Sequence, residues 1–218
     1  MTYKILEILV DLCRKHVAYI WGDNINKKIV IIAGYLASGK STFAQRLSND
    51  VNVPYFDKDT FKSAICANIP IIKREESRKF SAATFDAIAY VMERLMETGC
   101  PLIIEGNFVM GGFMKTNEGE KIRSLIEKYD YQSMTFIFWG DVRVICDRFN
   151  EREKLPERGQ ANRAFAELTY EDCEKLLPQL GDFSAGGKII KIDTTDFSKV
   201  DFDKQIEAVR LFLDSDNR

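Results

Sequence analysis

Apolar residues along the 218-residue chain follow two different periods. Short unbroken runs, rich in β-branched residues, alternate with longer stretches at helical spacing. The clearest run is Lys28-Ile29-Val30-Ile31-Ile32-Ala33. A run without polar alternation is buried on both faces, as in a parallel sheet. Four more strand candidates follow: Val51-Asn52-Val53-Pro54-Tyr55-Phe56, Pro101–Glu105, Met134–Trp139 and Lys188–Asp193. Helical patterns lie between them, over Lys40–Leu47, Arg74–Glu97, Asn117–Lys128, Arg143–Arg152, Thr169–Leu176 and Asp201–Leu213. Strands alternating with helices predict an α/β domain built on a parallel sheet. Ahead of the first run, Ile5, Leu6, Leu9, Leu12 and Cys13 recur at helical spacing and predict an amphipathic helix within residues 2–20.

Composition narrows the function more than the fold. Hydrophobic residues make up 45% and charged residues 29%, an ordinary globular balance. The net charge of −2 lacks the basic excess common in proteins that live on nucleic acid or anionic membrane. Five cysteines, Cys13, Cys66, Cys100, Cys146 and Cys173, form no CxxC pair, which argues against a disulfide framework and a zinc site. The one histidine, His16, lies in the leading helix away from every motif, so a Ser-His-Asp hydrolase is disfavoured. Glu7 and Asp11 interrupt the N-terminal apolar stretch, and no apolar run approaches the ~18 residues of a membrane span. A cytoplasmic protein is expected. No Pro-, Gly- or Ser-rich linker divides the chain, so residues 1–218 read as a single domain.

Gly34-Tyr35-Leu36-Ala37-Ser38-Gly39-Lys40-Ser41 matches G-x-x-x-x-G-K-[ST]. The glycines let backbone wrap a phosphate without Cβ clashes. The amides, those of Ala37 and Ser38 among them, then point inward at the positive end of the helix that opens near Gly39 and continues through Thr42. Lys40 should reach the β- and γ-phosphates, and the Ser41 hydroxyl should ligate Mg²⁺. A chance match over a chain of this length has odds of roughly 1%, and the preceding strand with the following helix is the context the motif requires.

Two acidic segments belong with this loop. Asp57-Lys58-Asp59-Thr60-Phe61-Lys62 follows the second strand candidate, where functional groups of an open parallel sheet collect. Asp59 there could accept the proton of an attacking hydroxyl, with Lys62 one turn on. Asp57 or Asp59 could equally cap a helix starting at Thr60. Leu102-Ile103-Ile104-Glu105-Gly106-Asn107 is an apolar strand ending in an acid, a Walker-B-like pattern in which Glu105 would hold Mg²⁺. Gly106 and Asn107 would line an acceptor pocket with Phe61, Lys62, Phe80, Phe108 and Met110. Arg148 and Arg152, at i and i+4, share one helix face and lead into a charged loop with Arg158 and Arg163. Phosphoryl transfer uses such arginines; a solvated helix face is the plain alternative.

In this order, the phosphate loop, Asp-x-x-Lys, strand-Glu-Gly-Asn and Arg-x-x-x-Arg resemble the P-loop small-molecule and polynucleotide kinase group. That group includes polynucleotide 5′-kinase domains, chloramphenicol phosphotransferase, gluconate kinase and zeta toxins. The resemblance covers residues 27–213. It implies a five-stranded parallel sheet of order 2-3-1-4-5, a lid at about residues 148–165, and ATP with Mg²⁺ as cofactors. It also implies catalytic roles for Lys40, Asp59, Arg148 and Arg152, metal binding by Ser41 and Glu105, and acceptor contacts from Asp59, Lys62 and Asn107. Gly34, Ala37, Ser38, Gly39, Lys40, Ser41, Thr42, Arg148, Asp193 and Thr194 would bind the nucleotide, the last two in the loop bordering the adenine. Lys62 stands where several members have arginine, and Glu105 where aspartate is common. The leading helix lies outside the group's pattern.

The reading that follows is an ATP-dependent phosphotransferase acting on a hydroxyl of a small molecule. A polynucleotide 5′-hydroxyl kinase uses the same core but fits the charge balance less well. A nucleotide-regulated NTPase or interaction protein is the alternative from another class, with residues 1–22 as a dimer or partner contact. No Asn-Lys-x-Asp guanine motif follows the fourth strand, which disfavours a GTPase switch.

Overall fold

The computed structural model describes residues 26–69, 71, 73–110, 117–155 and 166–215. The predicted leading helix, with Cys13 and His16, and the second half of the predicted lid, with Arg158 and Arg163, lie outside the described residues. The elements in chain order are β1 (Lys28–Gly34), α1 (Lys40–Val51), β2 (Tyr55–Asp57), α2 (Lys58–Ile65), α3 (Arg74–Glu97), β3 (Leu102–Glu105), α4 (Glu118–Tyr129), β4 (Gln132–Trp139), α5 (Val142–Glu153), α6 (Tyr170–Gly181), β5 (Lys188–Asp193) and α7 (Phe202–Asp214). A short 3₁₀ turn, Phe197–Lys199, lies between the last two.

All strand pairs are parallel and the order is β2-β3-β1-β4-β5, as the resemblance implies. Alternation within β1 sends Ile29, Ile31 and Ala33 to one face, against Phe85, Ile88 and Met92 of α3 and Ile122 of α4. Val30 and Ile32 go to the other, against Phe43, Ala44 and Leu47 of α1 and Ile206 and Val209 of α7. Both faces are covered, which explains the unbroken apolar run: each fully buried Ile or Leu contributes about 1.5–3 kcal/mol. No helix among the described residues is long and apolar enough to cross a membrane.

Two boundaries differ from the sequence reading. The second strand is Tyr55–Asp57 rather than Val51–Phe56. The preceding helix keeps Val51 and ends at Asn52, which takes the left-handed conformation (φ 53°) and donates its amide to Ser48 O. Left-handed asparagine is a common helix stop, and it outweighs the β-branched character of Val51 and Val53. The segment Lys58–Ile65 is a helix in its own right. At eight residues it is too short for periodicity to reveal.

Lys28 joins the two ends of the described chain. It is 1% exposed. Its ammonium donates to Leu213 O (3.0 Å), Ser215 O and Ser215 Oγ (3.2 Å), and lies over the Phe212 ring. Carbonyls at a helix C-terminus need such donors. Lys28→Met is expected to lower unfolding free energy by about 1–3 kcal/mol in urea titration, because those carbonyls lose a charged donor under cover.

Candidate active site

Strand register builds the site. Ile32 of β1 pairs with Glu105 of β3, and Glu105 pairs with Asp57 of β2. Two acids therefore end adjacent strands in one row, beside the phosphate loop that leaves β1. The loop is forced by its backbone. Gly34 has φ 118°, and a Cβ there would lie 2.1 Å from Phe138 O. Gly39 caps α1 in the left-handed region (φ 83°), with the Phe197 ring 2.8 Å from where its Cβ would be. Tyr35 O accepts from both Ser38 Oγ (2.7 Å) and Lys40 Nζ (2.5 Å), which holds the lysine side chain over the loop.

Ser41 Oγ donates to Glu105 Oε2 at 2.8 Å, so the phosphate loop and the acid that ends β3 meet. Thr42 is exposed on the next position of α1. Lys40 and Glu105 are 6% and 4% exposed. Burial lowers the Lys40 pKa, against the pull of Glu105 and Asp59, while Arg152 lowers it further. Burial pushes Glu105 up to about 7, opposed by Lys40 and reinforced by Asp57 and Asp59. These mutual influences bring Lys40, Glu105, Asp57, Asp59 and Arg152 into one electrostatic neighbourhood.

Geometry decides which aspartate caps the helix. Asp57 is the N-cap of α2: Oδ1 accepts from the amides of Asp59 (2.8 Å) and Thr60 (3.2 Å), and Oδ2 from the Thr60 hydroxyl (2.8 Å). The helix starts at Lys58, two residues earlier than Thr60. Asp59 then sits in the first turn of that helix. Lys62, 4% exposed, donates to Ser77 Oγ of α3 (2.7 Å), and burial lowers its pKa against the opposing pull of Asp59. Asn107 Oδ1 is buried without a hydrogen-bond partner.

The arginines separate. Arg148 donates to Thr194 O (2.5 Å) and Thr195 O (2.6 Å), and its guanidinium lies 4.3 Å from the Phe197 ring centroid. It braces the loop after β5. That loop is ordered further by Asp193 Oδ1, which accepts from the amide and hydroxyl of Thr195, bonds that hold the Asp193 pKa down. Thr194 is fully buried and donates twice to Trp139 O. The guanidinium of Arg152 is the one felt by Lys40. Of the expected acceptor-pocket residues, Phe108 is instead a core residue, 1% exposed between Phe85 and Phe183. Its neighbour Gly106 is closed over by this ring. Phe80 packs on Cys66 and Ile71, away from that core.

Sequence reasoning missed two members. Phe197 covers Gly39 from a loop 158 positions away, and only a three-dimensional arrangement shows it. The buried ion pair of Lys58 with Glu118 (2.5 Å) is equally long-range. Its one local sign is an acid at the start of the α4 pattern.

The fold and site define the chain as having the nucleotide-kinase-like P-loop architecture. Several of its structural neighbours are described as kinases. A Chloroflexus aurantiacus protein described as a candidate kinase superposes with TM-score 0.69 at 23% identity, covering 86% of this chain and 96% of that one. A Sinorhizobium meliloti gluconokinase gives TM-score 0.50 at 14% identity over 86% and 92% of the two chains. At these identities the likeness concerns the fold. A shikimate kinase of Rhodopseudomonas palustris is 30% identical over 128 residues, 58% of this chain and 57% of that enzyme. The match thus spans little more than half the length of that curated relative. No family model matches the chain.

Arg148→Ala should free the Thr194–Thr195 carbonyls and loosen the loop. Thermal unfolding should report a loss of about 1–3 kcal/mol, and proteolysis within residues 193–199 should accelerate. An unchanged cleavage rate would show that Asp193 and Thr194 hold the loop without it.

Proposed function

We propose that the chain is an ATP- and Mg²⁺-dependent kinase that transfers the γ-phosphoryl group to a hydroxyl of a small molecule. The convergence of Lys40, Ser41, Glu105 and Asp59 at the carboxyl ends of β1, β2 and β3 carries this reading. A divalent cation fits Ser41 Oγ and Glu105 Oε2, two hard oxygen donors 2.8 Å apart at the mouth of the phosphate loop. Bound there, it would neutralise charge on the phosphoryl oxygens.

The residues of the chain then divide the work. Loop amides and Lys40 hold the phosphates. Asp59 takes the proton as the acceptor oxygen bonds to the γ-phosphorus and the bond to the β-bridging oxygen breaks, releasing ADP. Arg152 faces the charge on the transferred group. Lys62 and Asn107 stand on the acceptor side, and Asn107 Oδ1 offers an acceptor for a hydroxyl donor. Arg148, Asp193 and Thr194 build the nucleotide's far wall. Transfer needs little covalent work from a protein, only position and electrostatics.

A small-molecule acceptor is preferred over a nucleic acid end because the chain carries no basic excess. The curated relative is itself named for a small molecule, shikimate. The cytoplasm, where ATP is abundant and thiols stay reduced, suits this chemistry: the four described cysteines are free and buried. We read residues 1–218 as one kinase-like domain, with the charged segment after Arg148 as its lid.

The test is label transfer from γ-labelled ATP, with Mg²⁺, into a metabolite extract or short oligonucleotides. Asp59→Asn should reduce transfer about 10²- to 10⁴-fold while binding of a non-hydrolysable ATP analogue stays within about twofold. Normal transfer by the variant would remove Asp59 as base. Label on oligonucleotides alone would replace the small-molecule acceptor with a nucleic acid one.

A further inference from the structure

Lys58 stands between the capping Asp57 and Asp59, as the first residue of α2. A cation at a helix N-terminus opposes the helix dipole, so the lysine does not serve its own helix. Its ammonium instead reaches Glu118, the first residue of α4, at 2.5 Å. The side chains are 12% and 3% exposed. Among the described ion pairs this is the one with both partners largely buried; the next, Arg152 with Glu153, leaves the arginine 36% exposed. The ammonium also lies 6.0 Å from the Phe85 ring centroid. Glu118 Oε2 has no hydrogen-bond partner, so Lys58 is the partner that holds this carboxylate.

The stem of Lys58 matters as much as its charge. A Cβ on Gly106 would lie 3.3 Å from Lys58 Cβ. Lys58 therefore lies beside Gly106, next to Asn107, while its ammonium pairs with Glu118. Buried ion pairs seldom stabilise more than a well-packed apolar pair of similar volume. One retained here is costly as a fold element but restrictive as a spacer: it fixes the start of α2 against the start of α4.

We propose that the Lys58–Glu118 pair is a positioning device, setting Asp59 relative to Glu105 and Asn107 for hydroxyl activation. The proposal rests on the reading of Asp59 as base. Neither residue touches the reacting atoms; both act through the backbone of Asp59 and Asn107.

Full-length protein with Glu118→Gln, and with the apolar double substitution Lys58→Met/Glu118→Leu, separates position from stability. Three readouts are compared with wild type: melting temperature, KM for ATP, and rate of label transfer from γ-labelled ATP into metabolite extract. Both variants should transfer about 10- to 100-fold more slowly with KM for ATP within about twofold. The double variant should melt at or above the wild-type temperature. A stable double variant transferring at the wild-type rate overturns the proposal, since a merely structural pair would be replaced without loss. Should the double variant fail to fold, Glu118→Gln decides by hydrogen exchange: faster exchange of the 58–62 amides supports the pair's role, and unchanged exchange overturns it. Wild-type protein that transfers no label, or Asp59→Asn equal to wild type, counts against the kinase reading instead. The same exchange measurement then judges the pair without any activity.

Discussion

Burying Lys40 beside Glu105 sets the terms for everything above the sheet. An ammonium and a carboxylate out of water are each costly, and each is tolerable only with compensation. The register makes the problem sharper, because Asp57 ends the neighbouring strand and Asp59 follows it. Glu105, Asp57 and Asp59 share one corner with buried Lys40, and the two aspartates raise the proton affinity of Glu105. The corner answers in pieces: Ser41 donates to Glu105, the α2 amides and Thr60 donate to Asp57, and Lys40 pairs electrostatically with Glu105. In the proposed function a divalent cation would bring positive charge to Glu105, and a polyphosphate negative charge to Lys40.

The same constraint explains how the secondary structure is cut at this edge. Asp57 is both the last residue of β2 and the cap of α2, so strand and helix meet without a loop. That junction leaves no slack in the position of Asp59. Lys62, one turn later, is buried against Ser77 and so ties α2 to α3. On the other side of β3, the chain leaves Glu105 through Gly106, whose missing Cβ admits the Phe108 ring and the Lys58 stem. Aromatic packing of Phe85, Phe108 and Phe183 then supports the corner from below.

Much of this was legible in the chain itself, for identifiable reasons. A parallel sheet covered on both faces demands unbroken apolar strands, so β1, β3 and β4 declare themselves. The phosphate loop declares itself because its spacing is dictated by a ligand rather than by packing. Local capping chemistry was visible only as an ambiguity: either Asp57 or Asp59 could start a helix, and only backbone geometry decides. Phe108 misled because an aromatic near a site looks the same in sequence whether it lines a pocket or fills the core beneath it. Lys58 with Glu118, and Phe197 over Gly39, depend on closures of 60 and 158 positions. No periodicity carries such information.

The two arginines of α5 show why a motif names residues but not roles. Both lie on one helix face, yet they meet different neighbours because they are one turn apart. Arg148, nearer the N-terminus of α5, reaches the loop after β5, whose Thr195 hydroxyl accepts the Asp141 amide at the start of the same helix. Arg148 and that contact together bind the loop to α5, and Phe197 in the loop lies over Gly39. A displacement of α5 would therefore be felt at the phosphate loop through Arg148, Phe197 and Gly39 in sequence. Arg152, a turn further along α5, is coupled to Lys40 by charge instead. In the proposed kinase, the first arginine joins the lid's base to the nucleotide's cradle, and the second carries charge to the phosphoryl group. Their order along the helix follows from the order in which α5 passes the loop after β5 and then Lys40.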